Sequence, residues 1–414
     1  MRPRLFHLTV SAFLLAAALP LLGGDWPQWR GPAGTGVSSE KNVPTSWSKT
    51  DNVKWRIALD GTGNSTPIVV GQRVFLALAP AKSDARGLHC YDRNKGEQLW
   101  KHEVEYAEKE PTHNTNPYCS ASPVSDGERV VAWYGSAGVF CYDLAGKVLW
   151  QKDLGKVEHV WGYGSSPLIY EDLVYINYGP GLNAFVVALD KKSGDEVWRK
   201  EYPGMKSSEL GEFRGSWSTP VVHTFGERTL LLLSLPEKLR AVDPRTGEDV
   251  WTCDGPSKLV YTSPLVAGDI VVTMCGYGGP AFAVKGTGEG DVTADRLWIH
   301  PRNTQRVGSG VVAGDYVYIL NEPGQAWCLD PKTGERKWEE RLGGGNSWSS
   351  MTHADGRLYI ANTAGTTFVL EPSPEECKVI AENPLGELTR GSHAFSDRQI
   401  VLRTYQALYC IEAK

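Results

Sequence analysis

No C-x-x-C occurs anywhere in this chain of 414 residues, which excludes redox dithiols, zinc ribbons and C-x-x-C-H haem attachment. H-E-x-x-H is also missing, the nearest string being HEVEY at His102, and there is no G-x-S-x-G or G-x-x-x-x-G-K-[ST]. The zincin, nucleophile-elbow and P-loop chemistries are therefore without their residues. Methionine is scarce at 4, and bases are outnumbered by acids, 43 to 48, so a general nucleic-acid footprint is not expected. With 41% hydrophobic and 22% charged residues, the chain can bury a sizeable core and disorder is not expected. What it has in quantity is 45 Gly, 25 Pro, 15 Trp and 17 Tyr. Turn formers and strand-favouring aromatics together point to an all-β protein.

Residues 1–24 have the layout of a secretory signal. Arg2 and Arg4 form a basic start, Leu8 to Leu22 is an apolar run, and Gly23 and Gly24 precede Asp25. Thr9, Ser11 and Pro20 interrupt that run, which is short for the ~20 residues of a membrane span. Cleavage near Gly24 leaves 41 bases against 48 acids, a net charge of −7. No cysteine lies near that point to take a lipid. The expectation is a soluble, exported monomer, periplasmic or extracellular, with no stable membrane anchor. Its eight cysteines would meet an oxidising compartment. Cys90, Cys141, Cys328 and Cys410 recur at one place in the repeat described next and are expected as free, buried, small apolar residues.

One phrase recurs: apolar residues, an acid, a Gly four residues on, and a Trp after four more. It reads LHCYDRNKGEQLW ending at Trp100, VVALDKKSGDEVW at Trp198, LRAVDPRTGEDVW at Trp251 and AWCLDPKTGERKW at Trp338. A shortened copy ends at Trp150, and a degraded one runs from Phe282 through Gly286 to Trp298. This is a strand, a tight turn and a returning strand. A second phrase precedes each copy: STPIVV at Ser65, ASPVSD at Ala121, SSPLIY at Ser165, STPVVH at Ser218 and TSPLVA at Thr262. Weaker forms stand at Gly308, Ser349 and Gly391. Their spacing of 41 to 56 residues averages about 47. Eight units of four short strands predict an eight-bladed β-propeller. Unit eight ends without its last strand, and VKWRI, Val53 to Ile57, carries the Trp55 that would supply it. The expected division is a signal at 1–24, an N-terminal extension at 25–52 and one propeller domain at 53–414.

The A-h-D-x-x-x-G-x-x-x-W phrase is similar to the repeat of the pyrroloquinoline quinone (PQQ)-like propellers, a family that includes quinoprotein dehydrogenases and the BamB-type outer-membrane assembly factor. The opening DWPQWRGP, Asp25 to Pro32, and ENPLGE at Glu382 resemble secreted PQQ-like repeat proteins. The likeness covers essentially the whole mature chain and implies the fold. Function is open, since one fold hosts catalytic and purely binding members.

Segments that lead into the innermost strands line one mouth of the channel, and they are polar and aromatic. Trp161, Tyr163, Arg214, Trp217, Tyr261, Arg306, Trp348 and Arg390 are the candidate ligand-binding residues there. Such a ring can sandwich a flat anion, stack on sugars or hold a peptide; the same aromatics can equally plug and stiffen a narrow mouth. Trp100, Trp150, Trp198, Trp251, Trp298 and Trp338 follow the repeat and read as packing. The quinoprotein resemblance implies PQQ, calcium and a catalytic carboxylate, often with a vicinal Cys-Cys ring. This chain has no adjacent cysteines and no long inter-blade insertions. The candidate oxygen donors, Asn64, Asn116, Glu158, Glu212, Asn303 and Asn346, form no recognisable ligand set. His113, His159 and His393 fall in mouth segments without paired spacing, and GTGEGDVTAD, Gly286 to Asp295, reads as a solvated insertion. The first expectation is a non-catalytic scaffold binding a protein, peptide or carbohydrate at the mouth. The second is a PQQ- and calcium-dependent alcohol or sugar dehydrogenase. No catalytic residue, metal ligand or cofactor is assigned.

Overall fold

The phrase ending in Trp folds as a turn pinned from both sides. In a computed structural model that describes residues 24–207, 213–303 and 307–413, the acid closes the turn on itself. Asp92 Oδ1 accepts the N–H groups of Asn94 and Lys95, and Asp190 and Asp243 do the same in their blades. The Gly takes a left-handed φ of 74° at Gly96 and 76° at Gly194, which costs glycine little. It also lies under the Trp of the preceding blade: a Cβ on Gly96 would sit 2.8 Å from Trp55, and one on Gly194 2.7 Å from Trp150. The same indoles donate Nε1–H to the neighbouring turn, Trp55 to Arg93 O at 2.7 Å and Trp198 to Pro244 O at 2.9 Å. Each Trp is thus a blade-to-blade rivet, as its place in the repeat predicted.

The elements assemble as eight antiparallel blades. The first holds Ile68–Val70, Arg73–Pro80, Ala85–Asp92 and Gln98–Glu105. The eighth joins Ala394–Ser396, Gln399–Arg403 and Ala407–Glu412 to Val53–Ala58 from the start of the propeller, with Trp55 opposite Cys410. Cys90, Cys141 and Cys328 face Trp100, Trp150 and Trp338 in the same way. All eight cysteines are free. Blade seven has Ala381 where the others have Trp. Trp47, from residues ahead of the first strand, joins the same apolar cluster, and its N–H donates to Asn383 Oδ1 at 2.8 Å.

The second phrase contributes more than strand chemistry. Its second residue is Ser or Thr in all eight units, and these hydroxyls link the blades around the axis. Thr66 N–H donates to Ser122 Oγ at 2.8 Å, Ser122 N–H to Ser166 Oγ at 3.0 Å and Ser166 N–H to Thr219 Oγ1 at 2.9 Å. Ser263 donates Oγ–H back to Thr219 O at 2.8 Å. The chain then runs Ser263 to Ser309, Ser309 to Ser350 and Ser350 to Ser392. All eight residues are buried, where an unmet N–H would be costly.

The insertion at Gly286–Asp295 is solvated, with Thr287, Glu289, Asp291 and Asp295 exposed, and its backbone is paired as well. Gly290–Asp291 pairs in parallel with Trp251 and Thr252, adding a fifth strand to blade four. Val292 is buried there, and Thr293 Oγ1 accepts Asp254 N–H at 2.9 Å. The acids stay in water while the backbone finds a sheet edge. Among the described residues no helix is long and apolar enough to cross a membrane. The expected signal at 1–24 lies, but for Gly24, outside the described residues.

Candidate functional site

The channel is closed at one end by the chain's own beginning. Residues 24–40 run as a strap across the base, at the C-terminal ends of the innermost strands. Trp26 exchanges two backbone hydrogen bonds with Val69, Pro27 O accepts Ser125 N–H, and Ser38 and Gly36 bond to His353. Arg30 is fully buried. It donates to Met351 O at 2.8 Å and Gly310 O at 2.5 Å, the third positions of the phrase in blades seven and six. Its burial pulls the guanidinium down to about 9, still charged at neutral pH. Trp29, next to it, forms the floor of a cavity of about 350 Å³ that opens at the opposite mouth.

Five of the expected residues meet in this cup: Trp161, Trp217, Tyr261, Trp348 and Arg390. Trp217 and Tyr261 stack with centroids 4.8 Å apart at 19°, and Trp161 lies 5.9 Å from Trp217 and 6.5 Å from Tyr261. Tyr277, 52% exposed, continues this wall 6.2 Å from Tyr261. Trp217 is fixed by its Nε1–H to Gly162 O at 2.9 Å. On the other side Arg390 lies over Trp348, 4.7 Å from its ring centroid, and over Tyr405 at 5.2 Å. Trp348 itself donates Nε1–H to Glu322 at 2.7 Å. Ring hydroxyls such as Ser122, Ser166 and Ser350 surround the floor.

Between the two aromatic sides lies a polar arc. Asn64 donates to Thr115 O at 3.0 Å and accepts Tyr405 O–H at 2.9 Å. Asn116 spends its amide hydrogens on Trp161 O and Tyr163 O, at 2.6 and 2.9 Å. His113 Nδ1 meets Thr115 Oγ1 at 2.7 Å. Among the described lining residues there is one permanent charge, Arg390, and no carboxylate.

Two expected residues are not brought to the cup. Tyr163 is buried behind it, 4.7 Å from Trp133, and its hydroxyl accepts Cys119 N–H. As the neighbour of Gly164 it points to the other face of an extended segment, and burial raises its pKa well above the ordinary 10.0. Arg214 reaches out to Glu237 at 3.2 Å and to Gly204 O at 3.0 Å. Arg306 and the donor Glu212 lie outside the described residues. Of the histidines only His113 lines the cup; His159 is buried against Trp161 and Trp217, and His393 is packed between Tyr359 and Phe395. Among the described residues no three His, Cys, Asp or Glu side chains gather as a metal site. The sequence reading missed Trp29 and Tyr277. Tyr277 has a local signal, an aromatic among the glycines of CGYGGP; Trp29 reaches the cup only through the strap.

A family model described as outer membrane protein assembly factor BamB matches residues 35–181, 84–340 and 291–373 of the chain. Tetrathionate hydrolase of Acidithiobacillus ferrooxidans is 21% identical over 76% of the chain, and the chain spans just under two thirds, 66%, of that protein. BamB from Moraxella catarrhalis superimposes with a TM-score of 0.64 at 16% identity, covering 87% of this chain and 97% of that one. The quinohemoprotein alcohol dehydrogenase of Comamonas testosteroni gives 0.70 at 12% identity, covering 97% and 82%. At these identities the structures speak for the fold alone.

Proposed function

The chain belongs to the BamB-type PQQ-repeat family, and from that premise we propose that it is an exported, non-catalytic binding propeller that captures a protein, peptide or carbohydrate ligand by a group inserted into the aromatic cup. The observation that carries this reading is the composition of the lining. Its wall of stacked rings supplies apolar contact at low entropic cost. Arg390 supplies one point of charge, and the amides and hydroxyls of the arc supply orientation. A quinoprotein reading asks more of the same space, namely carboxylate oxygens for calcium and a carboxylate base. The described lining offers neither, so PQQ with calcium does not fit it.

The floor supports the same reading. With the strap across the base, material enters and leaves by one mouth. The test is a fluorescence titration of the mature protein, with Trp161 and Trp217 as internal reporters, against oligosaccharides, peptides, and PQQ with calcium. Saturable quenching by a saccharide or peptide, lost in Trp217→Ala, supports the binding scaffold. Tight PQQ binding accompanied by dye-linked alcohol oxidation would replace it with the dehydrogenase.

A further inference from the structure

Resting on that reading of the cup, we infer that its ligand is the terminal residue of an acidic saccharide, a sugar ring bearing a carboxylate or sulfate. The inference starts from the two-sidedness of the lining. Trp161, Trp217, Tyr261 and Tyr277 form one continuous apolar flank, successive centroids lying 4.8 to 6.5 Å apart. The arc between this flank and the Trp348 side is polar, and its members are held by the protein so as to leave unused capacity of both kinds. Asn116, with both amide hydrogens spent, keeps Oδ1 as an acceptor. Ser120 donates to Pro117 O at 2.7 Å and keeps its lone pairs. His113, engaged through Nδ1, keeps Nε2. A sugar ring has the matching form: a C–H face that stacks on aromatic rings, and a fringe of hydroxyls that each donate and accept.

Charge narrows the class. Arg390 is the one permanent charge of the described lining, and it touches the Trp348 and Tyr405 rings and the Tyr405 hydroxyl. Its Nε is buried without a hydrogen-bond partner. Stacking between rings fixes the guanidinium plane while leaving its charge without a carboxylate, and a planar cation so held suits a carboxylate or sulfate. A cationic peptide would meet the same Arg390 with no acid to offset it. Size and topology narrow it further. About 350 Å³ lies near the lower end of small-molecule sites, room for one or two rings. The strap-built floor stops a polysaccharide from threading through, so recognition is of a chain end.

The experiment is calorimetric titration of the full mature protein with a glucuronate-terminated disaccharide and its glucose-terminated counterpart, on the natural protein, Arg390→Gln, Arg390→Lys and Trp217→Ala. The acidic sugar is expected to bind about tenfold tighter than the neutral one, the scale of one charge-assisted hydrogen bond. Arg390→Gln abolishes that preference, Arg390→Lys retains part of it, and Trp217→Ala weakens both sugars. Thermal melts of each variant identify a fold defect, and the Lys variant then decides. Equal binding of the two sugars by the natural protein overturns the acidic class and leaves the binding cup standing. Binding of a peptide but neither sugar, sensitive to Trp217→Ala, overturns the saccharide class while the cup again stands. Indifference of every ligand to Trp217→Ala overturns the cup itself.

Discussion

Ser392 donates its backbone N–H to Oγ1 of Thr66 at 3.0 Å across 326 residues of sequence, and this bond completes the ring of hydroxyls on which the cup sits. It does at the axis what the pairing of Val53–Ala58 with Ala407–Glu412 does at the rim. The two closures are independent: one is a side-chain oxygen, the other a strand.

Removing one ring hydroxyl should cost stability out of proportion to its size. Ser350→Ala strands the N–H of Ser309, now bonded to Ser350 Oγ at 3.0 Å, and about 1–3 kcal/mol is expected for a buried unmet donor. Ser350→Thr keeps the oxygen and should cost less. Urea midpoints of the two variants decide it. Equal loss in both would mean that volume, not the hydrogen bond, is what the site needs.

The two tyrosines on either side of the cup wall should separate binding from folding. Tyr277→Ala removes a half-exposed ring that lines the cavity, so the melting temperature is expected to hold while ligand affinity falls several-fold. Tyr163→Ala empties a site packed on Trp133 and should cost about 3–5 kcal/mol, as for other buried aromatics. Tyr163→Phe leaves Cys119 N–H without its acceptor and should lower stability by about 1–3 kcal/mol with affinity unchanged.

Stability should fall with acid earlier than carboxylates alone would make it. Burial holds His89 at about 4 and His393 at about 3, against an ordinary 6.5. A group depressed in the folded state favours folding above its unfolded value. That contribution is therefore complete above about pH 6.5 and is lost as the pH falls from there towards 4 and 3. Each histidine adds a slope of up to about 1.4 kcal/mol per pH unit in that window. Glu387, whose burial is outweighed by hydrogen bonds from Thr404, Tyr409 and Arg56, sits below 4.5 and acts only lower down. Denaturation midpoints between pH 7 and 5 test this, and His393→Phe should flatten the decline.

Native alkylation should be slow at every cysteine but one. Burial lifts Cys90, Cys141 and Cys410 to about 12 and Cys328 to about 11. Cys377, although also raised to about 11, is the single partly exposed thiol. Mass spectrometry after a brief iodoacetamide pulse at pH 8 should find label at Cys377 first. Rapid label at Cys90 or Cys410 would show that blades one and eight open more readily than their packing implies.

The fold was legible because its determinants repeat: Asp92, Gly96 and Trp100 stand within one thirteen-residue phrase, and the same geometry recurs in blade after blade. The hydroxyl ring was legible as a Ser or Thr at the second place of every copy, although nothing local shows that each one bonds the next blade. The cup was legible in the residues that enter the innermost strands, such as Trp217 and Tyr261. Tyr163 failed because alternate residues of an extended segment face opposite ways, and one place of register separates cavity from core. Trp29 could not be found locally, since it reaches the cup from a segment whose partners lie as far off as Met351 and His353.

The strap draws on both ends of the propeller: Trp26 and Pro27 bond to Val69 and Ser125 of blades one and two, Arg30 to Gly310 and Met351 of blades six and seven. Arg30 must wait for Gly310 and Met351, and Val53–Ala58 for Ala407–Glu412, which at ~5–20 residues per second is a delay of tens of seconds. For that interval Trp47 lacks Asn383, and blade eight has one of its four strands. The seating of Arg30 and the closure of the ring therefore both depend on the last three blades. A chain cut before blade eight carries an open seam along Val53–Ala58, the edge that Ala407–Glu412 otherwise covers.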